Sequence, residues 1–253
     1  MTTTLFLHIL WGLLLLLIPV GALYVLERTE LKTFGMAVGR MIVQLTVLCL
    51  LVWALIRLNS AWVNMAWYLC VAVYGAFLVV KRCKLDAKRL LLPLSGGMFL
   101  GVGLVGLWIL GVVWLVRVFD ARWFVPVMAL LMGHTTAMMI RGLSTYFSAL
   151  NEDEQQYEFL RGNGWSHLKA LLPFLRRSLL AVISPTVANL SVLGLTSMPL
   201  LLVGLLIGGF TPLYAFVLML TMVVGCVSAS VLSLALSILF YELSQRYHQQ
   251  TGS

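Results

Sequence analysis

The sequence predicts an all-α fold: a polytopic membrane helix bundle of about seven transmembrane helices, N-terminus outside and C-terminus cytoplasmic. Three observations carry this prediction. First, 61% of the 253 residues are hydrophobic and only 10% charged, and the mean hydropathy is +1.01; ordinary globular chains run at roughly 45–50% and about 25%. A soluble fold of this size lacks the interior to hide so much apolar surface. Second, apolar runs long enough to span a bilayer, about 20 residues, recur along the chain. Third, Lys and Arg crowd onto alternate connections. The whole chain, 1–253, forms a single transmembrane domain on this reading.

The first apolar segment, 5–26, lacks the basic start and small-residue cleavage site of a signal peptide, and it is long enough to cross; it is expected to be a retained first helix. Segments 36–57, 62–80, 91–117 and 124–147 follow, mostly on short polar connections. Segment 179–207 is apolar but interrupted by Pro185 and Pro199, so a kinked or broken helix is expected there. The last run is 213–241. With seven spans, fourteen of the seventeen Lys and Arg residues fall on one set of connections and only Arg57, Arg117 and Arg122 on the other. Basic residues stay on the cytoplasmic side. That sets the orientation and places 148–178 in the cytoplasm.

The same distribution explains the net charge of +8 as orientation and contact with anionic lipid. Nucleic-acid binders gather their basic residues on one solvated face, so no nucleic-acid partner is expected. The four cysteines form no C-x-x-C motif and no Cys/His cluster, which leaves no expected disulfide or zinc site.

Several chemistries lack their residues. There is no G-x-x-x-x-G-K-[ST] loop to cradle nucleotide phosphates, no H-E-x-x-H and no G-x-S-x-G. Every acid lies at or near a predicted loop or helix end, so no paired intramembrane carboxylates are available for a proton-driven carrier. The expectation is a chain that is not itself an enzyme and binds no cofactor of its own.

Polar groups at membrane depth must be satisfied or used. His134, in "LLMGHTTAMM", can contact a substrate or ligate a metal as neutral imidazole, or it can hydrogen-bond a neighbouring helix. Gln44 and Asn189 carry the same two readings. In "LTSMPLLLVG", 195–204, Pro199 frees carbonyls one turn earlier. Thr196, Ser197, Met198 and Pro199 are therefore substrate-path candidates, with Met198 and His134 as candidate metal contacts; a kink with only a packing role is the alternative. The pairs Gly35/Gly39, Gly97/Gly101 and Gly204/Gly208 have the spacing that lets helices approach closely and are read as packing.

The segment "NEDEQQYEFLRGNGWSHLKALLPFLRRS", 151–178, differs from everything around it. Four of the nine acids, Glu152, Asp153, Glu154 and Glu158, stand within seven positions here. Tyr157, Leu160, Trp165, Leu168, Leu171, Leu172 and Leu175 recur at helical spacing, with Glu158, Arg161, His167 and Lys169 on other faces. Gly162 and Gly164 divide the segment into two short helices at a turn. An interfacial helix on anionic lipid is one reading, but four acids would be repelled by such a surface. A protein groove suits the segment better, and Glu154, Glu158, Arg161, Gly162, Gly164 and Trp165 are its candidate docking residues.

A Glu six residues before a Gly (Glu158, Gly164) in a cytoplasmic loop resembles the coupling loop of ABC-transporter permeases, which docks on a separate ATPase subunit. Further residues extend the likeness. "GRMIVQL" opens the second span, "KRCK" ends the third, and "RRSLLAVISPTVANLSVLGLTSMP" and "GGFTPLYA" follow in order. Together they resemble the ABC-transporter permease family that includes the bacterial iron-export permease and the plant aluminium-tolerance permease. The resemblance implies a permease that forms a homodimer in a bacterial inner (plasma) membrane and pairs with ABC ATPase subunits, which bind the ATP and Mg. It also implies export of an iron-related metal or a small solute. The chain departs from the family pattern at Phe159 and Leu160, where the family has alanines, and at Asn163, Gly164 and Trp165, where it has Leu-Gly-Ala. It departs again at Met198 to Leu202, where the family has Leu-Pro-Gly-Met-Met, so the substrate does not carry over with the motif. The alternative class is a polytopic scaffold or assembly protein whose cytoplasmic loop binds some other partner.

Overall fold

The structure, a computed structural model, describes Trp11 and residues 14–26, 30–190 and 198–251. Among these every regular element is helical: α1 Leu17–Leu26, α2 Glu30–Leu58, α3 Ala61–Cys83, α4 Ala87–Trp108 with a π turn Ile109–Val113 at its end, α5 Ala121–Glu152, α6 Glu154–Gly162, α7 His167–Leu190, α8 Met198–Ile207 and α9 Pro212–Thr251. Among the described residues six helices, α2, α3, α4, α5, α7 and α9, are long and apolar enough to cross a membrane. The polytopic helical bundle is therefore present. Of the expected first span, 5–26, residues 5–10, 12 and 13 lie outside the described residues, and α1 covers its C-terminal part.

The chain divides into two compact units, 1–57 and 58–253. In the first, the Arg57 guanidinium lies over the Trp53 ring, 5.0 Å from its centroid. Such a cation–π pair suits the end of a span, where amphipathic rings and snorkelling cations gather.

The second unit is built around α5, which packs against α3, α4, α7 and α9. The closest helix pair is α4 with α9, and small residues make it. A Cβ placed on Gly97 would stand 2.6 Å from Ser237 Cα, and one on Gly101 would stand 2.7 Å from Ser233 Cα. Lipid tails are as apolar as leucine, so helices in a bilayer associate by close packing and interhelical hydrogen bonds rather than by escaping water. A glycine stripe facing a serine stripe provides that packing. By contrast, a Cβ on Gly204 would meet nothing within 4 Å. Polar ties lock the remaining pairs. Tyr68 Oη donates to the Phe99 carbonyl at 2.6 Å, and Ser178 Oγ donates to the Gly142 carbonyl at 2.6 Å. At one end, Asn64 Nδ2 donates to the Phe119 carbonyl and Asn59 Oδ1 accepts from the Ala121 amide, each at 2.9 Å.

The interrupted segment departs from expectation. α7 starts at His167 rather than near 179 and runs through Pro173 and Pro185 without a break. Ala170, Leu171, Phe174, Ser178, Val182 and Thr186 are buried at helical spacing, on the side that meets α5 and α9. Burial along that stripe keeps the helix continuous, and proline-freed carbonyls can be satisfied locally within a bundle; nearby, Thr186 Oγ1 donates to the Val182 carbonyl at 3.0 Å. Among the described residues α8 has 10 residues, about 15 Å of helix against a hydrocarbon core of about 30 Å. Pro199 belongs to α8, and residues 191–197 before it, where the expected break falls, lie outside the described residues.

Candidate functional site

The distinctive site is the connection between α5 and α7, at the end of the bundle that carries most of the Lys and Arg. α5 runs on to Glu152 and α7 begins at His167, so the connection consists of residues 153–166. Within it α6 has Glu154 in its first turn and Arg161 in its last, each complementing the helix dipole. Glu154, Glu158 and Arg161 are spaced four and three apart and share one face. None of the α6 residues is buried, and Phe159 is 69% exposed.

The end of α6 is defined by its hydrogen bonds. The Gly164 amide donates to the Arg161 carbonyl and the Trp165 amide to the Leu160 carbonyl, both at 3.1 Å. With Gly164 at φ +83°, this is the left-handed glycine cap that satisfies the final carbonyls of a helix. Asn163 Nδ2 adds a bond to the Phe159 carbonyl at 2.9 Å, and Arg161 Nη1 bonds the Trp165 carbonyl at 3.3 Å. Gly164 therefore makes the turn, while Gly162 lies inside α6.

Beyond the turn the expected apolar stripe divides. Leu171 is buried with Ala170 and Phe174, whereas Trp165, Leu168 and Leu172 remain 44%, 38% and 54% exposed. Spaced three and four apart, these three form an outward apolar stripe that begins at the α6 cap. Asp153 pairs with Arg177 of α7 across the connection.

Four side chains beneath this surface were not singled out by sequence reasoning. Tyr157 Oη lies 2.7 Å from His167 Nδ1, and His167 Nε2 lies 2.8 Å from Glu242 Oε2. Tyr146 Oη donates to Glu242 Oε1 at 2.9 Å. Helical spacing puts Tyr157 on the apolar stripe and His167 on another face; the structure pairs them. Glu242 is only 6% exposed. Its one sequence signal is an acid closing a long apolar run, with no opposite charge nearer than Arg246.

The substrate-path candidates are not brought together. Gln44 belongs to the first unit. His134 lies in α5 of the second unit, half-buried, with Nδ1 3.1 Å from Ser230 Oγ; Ser230 in turn donates to the Cys226 carbonyl at 2.7 Å. That arrangement links α5 to α9. Next to it, Thr135 is fully buried, and its Oγ1 meets no hydrogen-bond partner among the described residues. Thr196 and Ser197, and the side chains of Asn189, Met198 and Pro199, lie outside the described residues. Among the described residues no group of three or more His, Cys, Asp or Glu could hold a metal ion. At the opposite end of the second unit, an apolar cavity of about 500 Å³ is lined by residues including Trp114, Trp123, Phe210 and Met222, with Arg122 at its edge.

A family model described as an uncharacterised protein family, UPF0014, matches residues 6–245. No curated protein matches the chain, and no solved structure does.

Proposed function

The chain belongs to the uncharacterised protein family UPF0014, a family of permease-like membrane proteins, and from that premise we propose that it is the transmembrane permease subunit of an ABC transporter. In this reading it works as a homodimer in a bacterial inner membrane. A separate ATPase subunit binds and hydrolyses ATP with Mg, and the chain exports an iron-related metal or a small solute. One observation carries the proposal. A nine-residue helix between two spanning helices has no buried residue and leaves Phe159 exposed; beyond its left-handed glycine turn, Trp165 and, at the start of α7, Leu168 and Leu172 are exposed as well. A short exposed helix carrying both charges and continued by an exposed apolar stripe fits a protein groove, and the chain has no phosphate-cradling loop of its own.

The mechanism follows from the placement. Closure of two ATPase subunits on ATP would displace α6, and the rigid turn at Gly164 would pass that displacement into α7. Because α7 is one continuous helix packed on α5 and α9, the bundle can answer as a rigid-body rearrangement that changes access across the membrane.

Co-expression of the chain with an ABC ATPase from the same genome tests the assignment. A stoichiometric complex whose ATP hydrolysis rises with iron or another metal, or with one small solute in a screen, supports it. Absence of any complex with that ATPase favours the scaffold alternative, and a flat response across metals removes the iron assignment.

A further inference from the structure

Nine residues are too few to hold a helix in water on their own, and α6 has no buried residue to anchor it. What reaches from α6 into the bundle is Tyr157. Its hydroxyl begins a chain of three hydrogen bonds through His167 and Glu242 to Tyr146, at 2.7, 2.8 and 2.9 Å. The Tyr157 and His167 rings also meet edge to face, with centroids 5.9 Å apart. Four helices, α6, α7, α9 and α5, each contribute one side chain.

The proton positions follow from the chemistry of the groups. A carboxylate only accepts hydrogen bonds, so Glu242 takes one from the Tyr146 hydroxyl and one from His167 Nε2–H. Nδ1 then faces Tyr157. Neutral imidazole accepts the phenolic proton there, and imidazolium donates to the phenolic oxygen instead. A hydroxyl serves either role, so the chain of bonds stays closed in both charge states of His167. A buried acid is expensive unless every oxygen is met, and an apolar side chain would anchor a helix end as well. The acid adds directionality: such a network is satisfied in one geometry and costly in any other.

We propose that Glu242 is a positioning residue: through His167 and Tyr157 it fixes α6 to α9, so that displacement of the docking helix is passed to the last spanning helix as well as along α7. The transporter reading supplies what displaces α6, and the tie itself is a property of the chain alone.

Amide hydrogen exchange of the full-length chain in lipid nanodiscs tests it without any ATPase, so a wrong partner assignment leaves the outcome unchanged. Tyr157→Phe and Glu242→Leu are each expected to speed exchange across residues 157–162 about five- to tenfold. Tyr157→Phe should also speed exchange at 239–245 of α9, although Tyr157 is on another helix. The double variant should exchange no faster in α6 than the faster single variant, because both changes open the same chain of bonds. Additive effects, or Tyr157→Phe acting on α6 alone, would overturn the proposal. Tyr157→Phe leaves both Glu242 oxygens satisfied, so it decides the matter even where Glu242→Leu disturbs folding.

Discussion

At Gly164 the backbone sits at φ +83° and a Cβ would meet nothing within 4 Å, so a substitution there tests conformation without sterics. Gly164→Ala is expected to cost about 1–2 kcal/mol, the cost of a left-handed L-residue, and limited proteolysis should show faster cleavage between 160 and 166. Gly162→Ala, inside α6 with equally open space, is expected to protect the same segment by up to about 1 kcal/mol. At Gly101 the situation is reversed, because the obstacle is the backbone of α9. Gly101→Val should destabilise the bundle by about 1–3 kcal/mol as an overpacked contact, lowering the thermal midpoint in detergent. Gly133→Ala, with nothing within 4 Å, should leave that midpoint unchanged or raise it. The spacing of Gly97 and Gly101 was legible in the sequence, but Gly204 and Gly208 have the same spacing. What separates them is the serine pair, Ser233 and Ser237, that only the folded chain sets opposite the first.

At the scale of elements, length and apolarity were sufficient to place α2, α3, α4, α5 and α9, because a bilayer accepts little else than helices of that length. The connection around α6 was legible for the same reason: its acids and glycines break the apolar pattern. The start of α7 was not. His167, Lys169, Arg176 and Arg177 look like a solvated loop, and Pro185 looks like a break. Yet Ala170, Phe174 and Ser178 bury their face on the bundle, His167 turns inward to Glu242, and Lys169, Arg176 and Arg177 are exposed. The Tyr157–His167–Glu242–Tyr146 network was also hidden, since its members lie 10 to 96 residues apart and each has a more ordinary reading alone. Phe159→Asp adds a charge where the side chain is 69% exposed, so it is expected to leave the thermal midpoint within about 0.5 kcal/mol of wild type. That makes it a clean probe of docking.

At the scale of the whole molecule, charge asymmetry predicts an orientation. In a variant lacking Cys49, Cys70, Cys83 and Cys226, Asn163→Cys should react with an impermeant maleimide only from the cytoplasmic side, and Arg117→Cys only from the other. The central claim is that α6 couples this chain to an ATPase. The most direct measurement compares ATP hydrolysis by the reconstituted complex across wild type, Phe159→Asp and Glu158→Lys. The account predicts hydrolysis that depends on the wild-type chain and falls to the level of the ATPase alone in both variants. Identical hydrolysis in all three, with the folded chain present, would contradict it.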